Sequence, residues 1–286
     1  MKRILILGST GMMGSTISKL IQNDKRFKIL CTYKDYRKIK LIKLQKNQKK
    51  KLNVFDFNEL KRIIFRFKPD FIINCVGLIK QLSNKKNINK IKFLNTNLPK
   101  KLSIIAKNKN FKIIHLSTDC VFSGKKGNYK ESDKCDAIDL YGISKFKGEV
   151  DSKFVLNIRT SIIGHELKSS NSLLNWFLIQ KKINGFKKAF FSGLTTLELS
   201  NIIINEIIMK NKISNGLFHI SGPKISKLNL LKIVKRIYKK KTIINIDNSF
   251  KIDRSLNSNK FTKLINIKKK SWPNMIKEQW VFNENF

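Results

Sequence analysis

The sequence predicts an α/β protein built on a doubly wound parallel sheet, with a smaller C-terminal lobe. Three observations carry this. Short apolar runs bounded by turn residues recur down the first half of the chain, segments of helical spacing separate them, and a glycine-rich loop joins the first run to the first helix. Parallel strands buried on both faces read as continuous apolar runs, and helical crossovers between them give right-handed βαβ units.

The elements follow in order. Arg3–Leu7 is an apolar run ending at Gly8, and Ile17, Leu20 and Ile21 keep helical spacing after it. Lys28–Tyr33 reads as the second strand, and the stretch 40–52 as a lysine-rich connection with a few apolar residues. Asn58–Phe67 is expected to be a helix, Asp70–Val76 the third strand, Asn97–Lys107 a helix and Lys112–Ser117 the fourth strand. Tyr141–Val150 has helix character, and Phe154–Ile158 is a strand. Beyond about residue 165 the pattern loosens, so residues 1–165 are expected to form a dinucleotide-binding domain. Residues 166–286 are expected to be mainly a substrate lobe, with some segments returning to the first domain.

Composition narrows the classes. The 286 residues include 60 Lys+Arg against 19 Asp+Glu, a formal charge of +41, with 41% apolar residues. That is enough apolar material for a core and too much for a disordered chain. The apolar run before Gly8 is too short for a signal peptide, and no run reaches a membrane span, so no membrane insertion and a cytoplasmic location are expected. The four cysteines (Cys31, Cys75, Cys120, Cys135) form no CxxC pair, which fits a reducing compartment and argues against a metal site. Of the basic residues eight are Arg and 52 are Lys, scattered over every segment. Nucleic-acid surfaces draw on Arg for bidentate contacts. The charge therefore reads as lysine drift in an AT-rich genome, with no specific nucleic-acid partner, though its field attracts anionic small molecules.

Two motifs carry chemistry. In Gly8-Ser9-Thr10-Gly11-Met12-Met13-Gly14 the glycines allow a tight turn, a close approach to a pyrophosphate, and packing of helix on sheet. The spacing is GxxGxxG. The second motif begins Ser117-Thr118-Asp119 at a strand end and continues to Tyr141-Gly142-Ile143-Ser144-Lys145. Tyr141 and Lys145, four apart, share one helix face, where an ammonium would bring the phenol towards neutrality and make it a usable acid.

With these residues the sequence resembles the extended short-chain dehydrogenase/reductase (SDR) family, a Rossmann-like fold, and within it the dTDP-4-dehydrorhamnose reductase group and related nucleotide-sugar 4-keto reductases. The resemblance spans roughly residues 3–165 and continues more loosely through Arg159-Thr160-Ser161-Ile162-Ile163-Gly164. It implies a Ser/Thr–Tyr–Lys triad at Thr118, Tyr141 and Lys145. Thr118 would bond the substrate oxygen, Tyr141 would donate the proton, and Lys145 would hold the nicotinamide ribose and tune Tyr141. It implies further that Gly11, Met12 and Met13 lie against the pyrophosphate, that Asp56 and Phe57 meet the adenine, and that Cys75, Val76 and Gly77 run beside the cofactor. Asp119 and Ile162 belong with the substrate. Two positions depart from the family pattern: the Pro often found before the Tyr is absent in Ala137-Ile138-Asp139-Leu140, and Ile162 replaces an aromatic residue.

The implied activity is NADPH-dependent reduction of a nucleotide-activated 4-keto-6-deoxysugar for surface-polysaccharide precursors. Lys34 and Arg37, after the second strand, favour the 2′-phosphate of NADPH, while Asp35 keeps NADH as the alternative. An epimerase on the same fold and a non-catalytic NADP-binding regulatory subunit remain as alternatives. A 4,6-dehydratase is disfavoured, because Asp119 is followed by Cys120 where that reaction uses Glu. A homodimer is left open. Four further expectations are core packing for Trp176 and Phe177, a satisfied core position for His115, a second-lobe strand for His219, and an undetermined role for His165, Glu166 and the 192–196 segment.

Overall fold

The computed structural model describes residues 1–285, and the side chain of each except Lys85. The expected runs become strands β1 (Lys2–Leu7), β2 (Phe27–Tyr33), β4 (Phe71–Asn74), β5 (Lys112–Leu116) and β6 (Val155–Arg159). A further strand, β3 (Lys49–Lys51), lies inside the expected connection. Three consecutive lysines carry no apolar alternation, but at a sheet edge exposed lysines are suitable and discourage further pairing. The helices of this half are α1 (Met12–Ile21), α2 (Tyr36–Ile39), α3 (Phe57–Phe67), α4 (Ile88–Ile91), α5 (Leu98–Lys109) and α6 (Leu140–Phe146).

The second half adds strands β7 (Ile162–Ile163), β8 (Lys182–Phe186), β9 (Ala189–Phe191), β10 (Leu194–Thr195), β11 (Gly216–His219), β12 (Ile225–Ser226), β13 (Ile243–Asp247) and β14 (Ile252–Asp253). Its helices are α7 (Leu173–Leu178), α8 (Thr196–Asn201), α9 (Lys227–Ile237), α10 (Asn259–Ile265) and α11 (Trp272–Glu284). Among the described residues no helix is long and apolar enough to cross a membrane.

One seven-stranded, wholly parallel sheet organises the molecule, in the order β11-β6-β5-β4-β1-β2-β3. This is the doubly wound order, whose direction reverses at β1, and ligands bind such sheets at the carboxyl ends of the strands beside the reversal. β11 corrects an expectation: His219 lies in the main sheet, paired with Arg159 of β6, and not in a second-lobe strand. Nothing in the local pattern of 216–219 reveals which sheet it joins.

Side chains of β1 alternate between two cores. Ile4 and Ile6 join Ile17 of α1, Leu230 of α9 and Met275 of α11 on one face. Leu5 and Leu7 join Leu60 of α3 and Leu102 of α5 on the other. Each such side chain, fully buried, contributes roughly 1.5–3 kcal/mol. His115 also lies between the strands: its Nδ1 is 3.2 Å from Asn74 Nδ2, but its Nε2 has no partner among the described residues, so it is only half satisfied.

A buried ion pair ties the segment that follows α6 to the sheet. Arg159, at the end of β6, donates from Nε (2.8 Å) and Nη2 (2.7 Å) to Glu149, and the two side chains are 3% and 10% exposed. Ser117 Oγ donates to the same carboxylate at 2.6 Å. Removing one partner of such a pair leaves a buried charge and costs about 3–5 kcal/mol. Arg159→Met is therefore expected to lower the urea midpoint sharply at unchanged slope. A midpoint like the wild type's would show that the pair contributes nothing.

Candidate active site

The first part of the site is the glycine loop. The chain leaves β1 through Gly8, at φ +76°, where an L side chain would be strained. A Cβ on Gly14 would lie 2.3 Å from the Gly8 carbonyl oxygen, so only glycine lets the first turn of α1 rest on the loop. Gly11 caps α1 without a side chain, which points the helix N-terminus at the end of the sheet. Met12 and Thr10 are half-buried, whereas the Met13 side chain belongs to the core. Met13 can thus offer the groove only its backbone.

Cys75, Val76 and Gly77 run alongside. Cys75 N donates to the Leu7 carbonyl at 3.0 Å, and a Cβ on Gly8 would come within 3.0 Å of Val76 Cγ2. A Cβ on Gly77 would lie 3.7 Å from Lys145 Nζ, which brings this groove up to α6. Asp56 caps α3 by accepting from Glu59 N at 2.9 Å, and Phe57 packs into the second core beneath Lys101 Nζ, 4.9 Å from its ring centroid.

Thr118, Tyr141 and Lys145 come together beyond β5. Thr118 caps a single turn over 119–121, its Oγ1 accepting from Cys120 N at 3.1 Å. Asp139 caps α6 by accepting from Gly142 N at 2.8 Å. Asn95 ties α6 down, donating to Ser144 Oγ at 3.0 Å while its oxygen accepts from Leu78 N at 2.8 Å. Tyr141 thereby stands beside Thr118.

The electrostatics differ from expectation. Burial pushes the Tyr141 phenol up from its ordinary value, with Cys120 adding to this and Thr118 opposing it. Lys145 does not offset this burial, and its Nζ donates to the Leu116 carbonyl at 2.5 Å. Burial brings Lys145 itself down to about 8, against the pull of Glu149.

Next to Thr118 opens a cavity of about 450 Å³, lined by Asp119, Cys120 and Ser161 from the first half and by β8, β9, α9 and the 250–254 segment from the second. Its volume suits a small-molecule site. Trp176, Phe186 and Phe250 line it, so Trp176 faces the cavity while Phe177 alone enters the core. Lys80, Lys227 and Arg254 supply positive charge. Burial pushes the Asp119 carboxyl up against the pull of Lys227 and Arg254, and lowers the Lys227 ammonium against Asp119. Ile162 packs on the first core, and its neighbour Ser161 reaches the cavity instead.

A separate open cavity of about 570 Å³ lies at the other end of the groove, lined by Thr10, Lys34, Asp35, Tyr36, Lys38 and Lys51. Arg37 is not part of it. Its guanidinium, with the side chain 83% exposed, lies 3.5 Å from Asp35. Asp35 caps α2 through Arg37 N at 2.9 Å, and that contact holds its carboxyl below the usual range. The residues that sequence reasoning missed, Lys38, Lys51, Lys80, Lys227 and Arg254, sit on segments far from either motif.

Two sequence segments of undetermined role fall outside this site. His165 and Glu166 line another cleft, and Thr196 bonds Thr16 and Gln279 at the joint between α1, α8 and α11.

The family described as RmlD substrate binding domain matches residues 1–184. The chain belongs to this family. Among its relatives is a dTDP-4-dehydrorhamnose reductase of Aggregatibacter actinomycetemcomitans, 30% identical over 52% of this chain and 46% of that protein. Another is methionine adenosyltransferase 2 subunit beta of Bos taurus, 26% identical over 52% of this chain and 42% of that protein. The chain spans less than half the length of these curated relatives in the matched region. Over the whole RmlD-like chain, a hypothetical dTDP-4-dehydrorhamnose reductase from Sulfolobus tokodaii is similar at TM-score 0.76 and 25% identity, covering 94% of this chain and 96% of that one. The dTDP-4-dehydrorhamnose reductase of Bacillus anthracis, in complex with NADP, shares the fold at TM-score 0.80 and 19% identity, covering 98% and 99%.

Proposed function

We propose that the chain is an NADPH-dependent reductase of a nucleotide-activated 4-keto-6-deoxysugar. The observation that carries this is the meeting of Thr118, Tyr141 and Lys145 between the glycine-loop groove and the cavity that holds Asp119, Lys227 and Arg254. The residues present fit a dinucleotide: Gly8 and Gly14 clear a path to the N-terminus of α1, and Gly77 keeps Lys145 in reach. When bound, the reduced nicotinamide supplies the hydride. The protein does the rest. Tyr141 delivers its proton to the sugar O4 as C4 is reduced, so the ketone becomes an alcohol. Thr118 orients that oxygen. Lys145 exchanges its bond to the Leu116 carbonyl for the ribose hydroxyls. Lys227 and Arg254 neutralise the diphosphate, and the aromatic wall stacks on the base. On this reading residues 1–165 hold the cofactor and 166–286 mainly the sugar nucleotide.

A panel of dTDP-, UDP- and GDP-linked 4-keto sugars, with NADPH absorbance as readout, tests the assignment. Turnover of none of them would overturn it.

Lys34, Lys38 and Lys51 line the cavity at the adenosine end, while Asp35 is engaged by capping and by Arg37. NADPH is therefore expected to bind more tightly than NADH in fluorescence titrations. Replacing Lys34 and Lys51 with Met should weaken NADPH about tenfold, as expected for lost charge-assisted contacts, and leave NADH unchanged. Tighter NADH binding would assign the ribose to Asp35.

The match to methionine adenosyltransferase 2 subunit beta favours a second reading, a binding subunit without turnover. The presence of all three triad residues weighs against it. Tight NADPH binding with no sugar reduced would favour it.

A further inference from the structure

Three buried polar side chains cross the apolar sheet in one row. Asn74 of β4, His115 of β5 and Asn157 of β6 are register partners, so they lie on one face of the sheet. Asn157 is satisfied locally: its amide accepts from Val150 N at 3.1 Å and donates to the Val150 carbonyl at 2.9 Å. Asn74 and His115 bond each other.

Val76 N donates to Asn74 Oδ1 at 3.2 Å, which fixes the orientation of that amide. Its nitrogen is then the atom 3.2 Å from His115 Nδ1. An amide N–H can only donate, so Nδ1 accepts, and the neutral ring carries its proton on Nε2. Burial, with Lys145 adding to it, lowers the imidazole well below its ordinary value and keeps the ring neutral. The Nε2–H has no partner among the described residues. A buried donor left unpaired costs free energy that an apolar side chain at this position would not. Core packing alone therefore does not account for a histidine here.

What Nδ1 secures is a chain of contacts to the glycine loop. It holds the Asn74 amide, and the amide holds Val76 N. The Val76 backbone in turn rests on the loop, where a Cβ on Gly8 would come 3.2 Å from Val76 N. We propose that His115 is a positioning residue of the dinucleotide groove, which through Asn74 sets the backbone of Cys75, Val76 and Gly77 against Gly8. His115 touches no ligand itself. The proposal rests on the reading of this groove as the dinucleotide site and is independent of the sugar that is reduced.

Fluorescence titration of the full chain with NADPH, carried through a double-mutant cycle, tests it. His115→Leu removes the acceptor and the unpaired donor together. It is expected to weaken NADPH binding about fivefold, the size of one lost hydrogen bond, with a thermal midpoint at or above the wild type's. Asn74→Leu should weaken binding at least as much, and the double variant no more than Asn74→Leu alone, because both act through one chain of contacts. His115→Asn, whose Oδ1 can take the place of Nδ1, should restore most of the affinity. The proposal is overturned by unchanged NADPH affinity in His115→Leu, by losses that add fully in the double variant, or by a His115→Asn no better than His115→Leu. A midpoint in His115→Leu well below the wild type's would make His115 an ordinary core residue and overturn it as well. A wild-type chain that binds neither NADPH nor NADH would overturn the groove reading and the proposal with it, a result distinct from any seen in the variants alone.

Discussion

Tyr141→Phe is expected to lower the rate of 4-keto sugar reduction by about 10²–10⁴-fold, the usual size of a general-acid contribution. Thermal midpoint and NADPH affinity should stay close to the wild type. Burial holds the phenol above its ordinary value, so it is fully protonated at neutral pH and carries the proton the reaction needs. The substitution removes one hydroxyl and keeps the ring beside Thr118. Thr118→Val should slow turnover less, but with an added loss of stability. Its hydroxyl also caps the 119–121 turn, and losing such a cap costs about 0.5–2 kcal/mol. Turnover and urea unfolding measured on both variants separate the two effects. A Tyr141→Phe enzyme retaining more than about a tenth of the rate would remove Tyr141 from the role of acid.

Lys145→Met should lose turnover and NADPH affinity together, because its ammonium is assigned the ribose hydroxyls that set the nicotinamide against the sugar. Its pH dependence follows from burial. With the folded value at about 8 and the ordinary value at 10.5, the folded protein releases this proton first as pH rises. Reduction should therefore be level on the acid side of about 8 and fall above it. For stability the sign is opposite. The unfolded chain binds more protons between these values, so this group's penalty is full below about 8 and is relieved on the way to 10.5. Lys145→Met is thus expected to cost no stability at neutral pH. NADPH titration and a pH–rate profile check these outcomes, and unchanged NADPH affinity would contradict the ribose assignment.

The fold was legible where the physics is local. β1, β2, β4, β5 and β6 are apolar runs buried on both faces, and such runs look alike in any sequence that makes a parallel sheet. β3 was not legible, since Lys49–Lys51 gains strand geometry from Cys31–Tyr33 beside it and not from its own side chains. β11 was assigned to the wrong sheet for a similar reason: pairing with β6 is a long-range contact. In the candidate site, the proximity of Thr118, Tyr141 and Lys145 could be read because one strand end and one helix carry them. The cavity wall could not, because Trp176, Phe186, Lys227 and Arg254 come from separate segments that only folding brings together. The phenol acidity expected of Tyr141 failed because spacing gives proximity along a helix but not the degree of burial, nor the Leu116 carbonyl that engages Lys145.

The central claim is most directly tested by following deuterium from NADPH labelled at the nicotinamide C4 into dTDP-4-dehydrorhamnose incubated with the purified chain. The account predicts that label appears at C4 of the sugar as NADPH is consumed in equal amount, and that Tyr141→Phe suppresses both. NADPH that binds tightly but is not consumed, with an unlabelled sugar recovered, would contradict it and leave the chain a binding protein.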